Sequence, residues 1–232
     1  MDSPTSRRRT RTAGGARRAG KGATAPAAPY ATRRIPYFEV LDDAGLSLIE
    51  ENADIILEEI GIDFRDDEEA LQIWRDAGAD VQGERVRMPR GLCRRLIQDS
   101  APRQFTQHAR NPARNVEIGG PHTVYVPAYG CPFVHDIDRG RRYGTLEDFQ
   151  NFVKLAYLSP SLHHSGGTIC EPVDLPVNKR HFDMIYSHMK YSDKCFMGSV
   201  THPDRAEDTV EMTKILFGDR WIDPDTGKPR TC

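Results

Sequence analysis

The segment HHSGGTICEPVDLP, residues 163–176, places two histidines, a cysteine and a glutamate within nine residues. Imidazole, thiolate and carboxylate groups are the usual ligands of zinc, which suggests a metal site. Along a β-strand, however, successive side chains point to opposite faces, so His163 and His164 cannot both enter one site. Cys170 and Glu171 would lie about 20 Å from the histidines along an extended strand. One ion cannot gather all four, and we expect no metal here.

The elements around this segment follow a strand-then-helix rhythm that begins at residue 121. Apolar, strand-like runs at residues 122–129, 161–170 and 194–200 are each followed by an amphipathic helical pattern. Three such units in succession indicate parallel strands with helical crossovers. No G-x-G-x-x-G follows a strand, so we favour an α/β fold of the (β/α)8 TIM-barrel type over a doubly wound sheet. Eight units need about 250 residues, so we expect an incomplete barrel over residues 121–232, with about three units.

A mostly helical region with a small β element is predicted for residues 35–120. Gly61 and Gly78 are expected to end two helices, and Pro89 to begin a third. The segment QFTQHARNPARNVEIGG predicts two short strands around an Asn-Pro turn. The first helix has apolar residues at helical spacing, namely Leu46, Ile49, Ala53, Ile56, Leu57 and Ile60.

Capping residues are expected at several helix starts. Asp66 with Glu69, and Asp204 with Glu207, have the spacing of capping boxes. Asp148 and Glu207 are both interpreted as caps.

Charge divides the chain unevenly. Residues 1–34 carry nine Lys or Arg and a single acid, whereas the whole chain has a net charge of −2, so the remainder is acidic. The first 34 residues are nearly free of large apolar groups, and we predict a disordered basic leader; a nucleic-acid tail and a transit peptide are the alternatives. The acidic remainder argues against nucleic acid as a partner. No run of about 18 apolar residues exists, so no membrane partner is expected.

The five cysteines form an odd set without a C-x-x-C pair. Together with the lack of an apolar signal segment, this favours reduced thiols in the cytoplasm.

From about Ile35 onward the sequence resembles the trimethylamine:corrinoid methyltransferase family. The resemblance is carried by long blocks: IPYFEVLDDAGLSLIEENADIILEEIGIDFRDDEEAL, FTQHARNPARNVEIGG, YGTLEDFQNFVKLAYLSPSLHHSGGTICEPVDLPVNKRHFDMIYSHMKYSDKCFMGSV and RAEDTVEM. It implies a (β/α)8 barrel that moves a methyl group from a methylamine or quaternary amine, of trimethylamine or betaine type, to the cob(I)alamin of a separate corrinoid protein. It implies no cofactor bound directly by this chain and a homo-oligomer at full length.

A methylated ammonium without N–H donors is best recognised by aromatic faces and carboxylates. Tyr129, at the end of the first barrel strand, is the candidate wall of the amine pocket. The other candidates are Tyr125, Phe133, Gly130, Glu171 and Ser199. Packing explains Tyr125 at least as well, a salt bridge explains Glu171 equally well, and turn geometry alone would explain Gly130.

Two other functions remain open. A metal-dependent barrel hydrolase is suggested by the His, Cys and Glu content, with Cys131-x-x-x-His135 as a second candidate ligand pair. A truncated barrel could also be a non-catalytic interaction module, because open strand edges and apolar surface favour pairing with another chain.

Overall fold

The computed structural model describes residues 29–36, 38–198, 201–224, 227 and 229–230. No helix in that part of the chain is long and apolar enough to cross a membrane. The helices are α1 Asp43–Ile55, α2 Glu68–Asp76, α3 Leu92–Ser100, α4 Leu146–Leu158, α5 Arg180–Tyr191 and α6 Pro203–Phe217. The strands are β1 Ala31–Thr32, β2 Ile62–Asp63, β3 Asp80–Gln82, β4 Arg85–Arg87, β5 Gln104–Gln107, β6 Val116–Gly119, β7 His122–Thr123, β8 Phe133–Asp136 and β9 Gly140–Tyr143.

The strands form four small sheets in which every pairing is antiparallel: β1–β7, β2–β4–β3, β5–β6 and β8–β9. Within the described residues these sheets do not close into a barrel. Strand β1 lies inside the stretch expected to be a leader, and its pairing with β7 ties residues 31–32 to residues 122–123. Residues 1–28 of that predicted leader lie outside the described residues.

Helix α1 confirms the predicted first helix. Asp42 caps it by accepting a hydrogen bond from the Gly45 N–H at 2.8 Å, and a π-helical turn, Ile56–Ile60, extends it to Gly61. Gly61 has φ 73°, and a Cβ at this position would lie 2.3 Å from the Val86 carbonyl oxygen. Glycine is therefore required both by the backbone conformation and by the close approach of β4.

The N-terminal region, residues 41–100, has a small apolar core beneath α1. Leu71, Val86, Met88 and Leu92 are buried there. Leu57 packs against this core from the π-helical turn. The remaining apolar residues of the predicted α1 face stay exposed: Leu46, Ile49, Ala53, Ile56 and Ile60.

The hairpin predicted around the Asn-Pro turn is confirmed. Strands β5 and β6 pair in antiparallel register, and a 3-10 turn, Pro112–Arg114, lies between them. Asn111 caps that turn by accepting from the Ala113 N–H at 3.1 Å.

The C-terminal region, residues 122–217, contains α4, α5 and α6, each near a predicted position. Its core consists of Val134, Phe149, Val153, Ile169, Cys170 and Met184. The hairpin β8–β9 was not predicted. This hairpin lies between the first strand-like run and α4. Val134 of β8 is buried in the core of the C-terminal region.

The predicted caps were right at one helix and wrong at two. Thr145 and Asp148 form a capping box at α4. The cap of α2 is Asp67, not Asp66, because the Asp67 carboxylate accepts from the Ala70 N–H at 2.9 Å. Helix α6 begins at Pro203 after His202, so Asp204 and Glu207 already lie inside the helix and form no capping box.

Lys194 is a buried charged residue that forms hydrogen bonds inside the C-terminal region. The Lys194 ammonium donates to the carbonyl oxygens of Ala156, Ser159 and Leu162 at 2.9, 2.9 and 2.7 Å. Burial, followed by the nearby Arg114, lowers the pKa of Lys194 to about 8. These bonds supply donors to carbonyls at and beyond the end of α4, where a helix leaves acceptors without partners.

Candidate active site

Three segments of the C-terminal region run side by side in parallel: the first (residues 124–131), the second (162–171) and the third (194–198). Isolated parallel bridges join Cys131 to Cys170 and His164 to Cys195. Backbone hydrogen bonds also connect the second segment to both neighbours, as from Ser165 N–H to the Cys195 carbonyl at 2.9 Å. The three runs predicted as barrel strands are thus adjacent and parallel, although beyond β7 they are not continuous strands.

Tyr129 lies where the three segments meet at their carboxyl ends. Its hydroxyl contacts the Met197 sulfur of the third segment at 3.3 Å. Its ring passes over Gly167 of the second segment, where a Cβ would lie 3.6 Å from Tyr129 Cε1. Burial raises the pKa of the phenol. Tyr129 as a whole nevertheless remains 39% exposed, so part of the residue is accessible to a ligand.

Gly167 allows this close approach. A Cβ there would lie 3.3 Å from both the Met197 Cβ and the Met197 carbonyl oxygen. A Cβ at this position would therefore require Met197 to shift by a few tenths of an ångström. Gly130 has φ 76° and open space around it, and its N–H donates to the Thr168 carbonyl at 2.8 Å.

Glu171 lies at the same end of the second segment, but its charge is compensated. The Arg180 guanidinium of α5 contacts its carboxylate at 2.9 Å. A second Arg180 nitrogen donates to the Leu175 carbonyl at 3.1 Å. A cation approaching Glu171 would therefore compete with Arg180.

The Phe133 ring is engaged with its neighbours in the β8–β9 hairpin. The Tyr143 ring centroid lies 4.7 Å away, and the Arg141 guanidinium carbon lies 3.9 Å from the Phe133 centroid. Because a guanidinium already occupies a ring face, Phe133 is less suited than Tyr129 to bind a second cation.

Tyr125 lies at the amino end of the first segment, away from Tyr129. Its carbonyl accepts from the His163 N–H at 3.0 Å, and its N–H donates to His163 Nδ1 at 3.0 Å. The Tyr125 and His163 rings are stacked with centroids 6.0 Å apart. This is the packing role that the sequence left open. Ser199 lies outside the described residues.

The paired histidines have separate partners. His164 is buried and its Nε2 lies 2.6 Å from Gln107 Oε1, whereas His163 stacks on Tyr30 with centroids 5.0 Å apart. Burial, followed by the neighbouring His163, lowers the pKa of His164 to about 4. Among the described residues, no three His, Cys, Asp or Glu side chains are grouped so that they could hold a metal ion.

A third histidine, His188 of α5, was not singled out from the sequence. Its Nδ1 lies 3.0 Å from the Ser165 hydroxyl, and its Nε2 lies 3.0 Å from the Gly167 carbonyl. The ring is stacked on Phe196 with centroids 5.5 Å apart. Burial lowers the pKa of His188 to about 4. The neutral His188 ring thus holds the backbone of Gly167 in place through its contact with the Gly167 carbonyl.

Sequence reasoning also missed Met197 and Arg180 as site residues. Met197 is separated from Tyr129 by 68 positions, so only the order of neighbouring strands could have brought them together. For Arg180 a signal existed, because a basic residue at a helix start nine positions after Glu171 can reach back to it.

The three parallel segments are each followed by a helix. The sequence that forms them matches a known protein family. The trimethylamine methyltransferase (MTTB) family matches residues 7–230, and the chain belongs to that family. The resemblance drawn from the sequence is confirmed.

The chain is also similar in sequence to two methyltransferases of quaternary amines. The chain is 48% identical over 184 residues to a glycine betaine methyltransferase of Desulfitobacterium hafniense (strain Y51), covering 79% of this chain and 38% of the relative. It is 29% identical over 209 residues to a proline betaine:corrinoid methyltransferase of Eubacterium limosum, covering 84% of this chain and 41% of the relative. The chain thus spans about two fifths of the length of these relatives.

Proposed function

We propose that the protein to which this chain belongs transfers a methyl group from a quaternary amine of betaine type to a corrinoid protein. The 48% identity to a glycine betaine methyltransferase carries this proposal. The proline betaine:corrinoid methyltransferase supports a quaternary amine and a corrinoid partner. We also propose a (β/α)8 fold, of which these residues form about the first three units. The parallel bridges between the three segments support this fold.

The chain's own part in this reaction is to hold the amine. A quaternary ammonium offers no N–H donors, so recognition falls to aromatic faces. Tyr129 supplies such a face, and its contact with Met197 fixes the ring. The corrinoid, carried by the partner, supplies the metal nucleophile that accepts the methyl group. The protein contributes mainly by positioning the N-methyl group.

Gly130, at this end of the first segment, suits the approach of a large flat group. Gly130 has open space around it, so the backbone there can be approached closely. We propose that the corrinoid reaches the amine past the open backbone at Gly130, next to the Tyr129 ring.

We also propose an oligomeric state and a cellular location for the full-length protein. The apolar residues exposed on α1 support a homo-oligomer of the full-length protein. The thiols of Cys93, Cys131 and Cys170 are not joined in disulfides, which supports a reducing, cytoplasmic setting.

The experiment that tests the function is amine-dependent consumption of cob(I)alamin by the full-length protein with its corrinoid partner. Glycine betaine, proline betaine and trimethylamine are compared at equal concentration. We expect the betaines to react and trimethylamine to be the poorest substrate. Failure of all three amines would contradict the proposal and leave a non-catalytic interaction module as the better account.

Tyr129 variants test the pocket. Tyr129→Ala removes the ring and is expected to raise KM about tenfold or more, since a desolvated cation–π contact contributes roughly 2 kcal/mol. Tyr129→Phe keeps the ring, so its KM should stay within about threefold of the wild type. Tyr125→Ala is the matched control at the other end of the segment, and an equal rise in its KM would argue against Tyr129 as the wall.

A further inference from the structure

Two cysteines face each other across the first and second segments. Cys131 and Cys170 are directly paired residues in a parallel bridge. On either side of the pair, Gly130 N–H donates to the Thr168 carbonyl at 2.8 Å and Glu171 N–H donates to the Cys131 carbonyl at 3.0 Å. The backbone at this point is therefore held in register by two hydrogen bonds.

A pairing of this kind is compatible with the Cα separation that a disulfide spans. Neighbouring strands lie about 4.8 Å apart, and disulfides join residues whose Cα atoms are about 4.4–6.8 Å apart. Paired residues in register also direct their side chains to the same face of the sheet.

The other described cysteines have different surroundings. Cys93 belongs to α3 in the N-terminal region. The Cys195 thiol is buried and contacts the Gln107 carbonyl at 3.3 Å.

We propose that Cys131 and Cys170 are a site of oxidative modification, at which hydrogen peroxide produces a reversible disulfide. Cys131 is the exposed member and reacts first. Its thiolate attacks the peroxide, the O–O bond breaks, and sulfenic acid and water form after protonation. The Cys170 sulfur then attacks the sulfenic sulfur, a second water leaves, and the two thiols have together lost two electrons to one peroxide.

The two thiols differ in a way that sets this order. Cys170 is buried, and burial followed by the nearby Asp148 raises its pKa to about 12. Such a thiol forms little thiolate at neutral pH and is a poor first nucleophile. The second step is therefore expected to be slower than the first.

The bond would lie directly beside the candidate amine site. Tyr129 and Gly130 immediately precede Cys131, and Glu171 immediately follows Cys170. Linking the two segments at this point restrains the backbone on both sides of the site. The modification is independent of the proposed methyl transfer, since it requires only the two thiols and an oxidant.

The test is mass spectrometry of the purified protein after treatment with hydrogen peroxide and again after a reducing phosphine. We expect the loss of two hydrogen atoms, a crosslinked peptide containing Cys131 and Cys170, and full reversal on reduction. Cys93→Ser is the matched control and should form the same crosslink. Cys131→Ser should abolish it.

Cys170→Ser should stop the reaction at the first step and leave a sulfenic acid on Cys131, trapped by dimedone. Cys170→Ala checks that this result does not depend on the serine hydroxyl, with circular dichroism confirming that each variant folds. The proposal is overturned if oxidised wild type carries only added oxygen on Cys131, or if Cys131 is crosslinked to Cys93 or Cys232 instead.

Discussion

The N-terminal and C-terminal regions stabilise their helices in different ways. In the N-terminal region, charged groups stay at the surface, as in the pairs of Arg90 with Glu58 at 2.9 Å and of Arg75 with Glu68 at 2.7 Å. In the C-terminal region, polar groups such as Lys194 and His188 are buried and hydrogen-bonded. Surface pairs contribute little to stability, whereas a buried group that loses its partner is costly. The C-terminal region should therefore be far more sensitive to single polar substitutions.

The largest effect should come from Lys194→Met. The substitution leaves three carbonyl oxygens without their donor and should lower the free energy of unfolding by about 4 kcal/mol. Urea denaturation at pH 7 measures the loss. Lys214→Met, on the exposed side of α6 beside Glu211, is the control and should change stability by no more than about 0.5 kcal/mol. If the two variants are equally stable, the buried polar groups of the C-terminal region are no more important for stability than surface charges.

Acid should destabilise the C-terminal region through His164 and His188. Their pKa values are lowered from 6.5 to about 4 by burial, so between these values the unfolded chain binds protons that the folded protein does not. Stability is then full above pH 6.5 and falls as the pH drops toward 4. The expected loss is on the order of 2 kcal/mol per imidazole between pH 7 and pH 5.

Unfolding by urea at a series of pH values measures this slope. His188→Gln should reduce the slope by about half, because His164 still contributes, even though the variant is less stable at every pH. His135→Gln, at an exposed position in β8, should leave the slope unchanged. A wild-type stability that is flat from pH 7 to pH 5 would show that neither imidazole is neutral because of burial.

Helix caps give the smallest and most direct comparison. Asp148 of α4 accepts bonds from Thr145 and forms a two-oxygen contact with Arg142, which holds the pKa of its carboxyl well below the usual range. Asp67 of α2 caps through one exposed bond. Asp148→Ala should cost about 2 kcal/mol and Asp67→Ala about 1 kcal/mol. Thermal or urea unfolding measures both, and a larger cost for Asp67 would reverse the comparison.

Local patterns predicted the helices because each pattern acts within a few residues. Apolar spacing and Gly61 placed α1, and Asp148 was correctly interpreted as a capping residue of α4. The hairpin β8–β9 was missed because its turn, between Asp136 and Gly140, is short and charged and lies beside a run already assigned to a strand. Where two acids adjoin, as at Asp66 and Asp67, spacing alone could not decide which one caps the helix.

The candidate site was only partly predictable for a different reason. Tyr129 could be placed near the end of a strand from its own neighbours. Its contact with Met197 depends on which segments lie side by side, and the burial of Lys194 depends on carbonyls from α4. A lysine at the start of a strand ordinarily indicates a solvent-exposed position, so no sequence signal marked it as buried.

Lys194 also constrains the order in which the chain can assemble. Its three acceptors precede it by 38, 35 and 32 residues. As the polypeptide leaves the ribosome, the end of α4 emerges before Lys194 has been added, and its carbonyls stay hydrated until then. The end of α4 is therefore expected to gain these three hydrogen bonds only when the third segment docks against it.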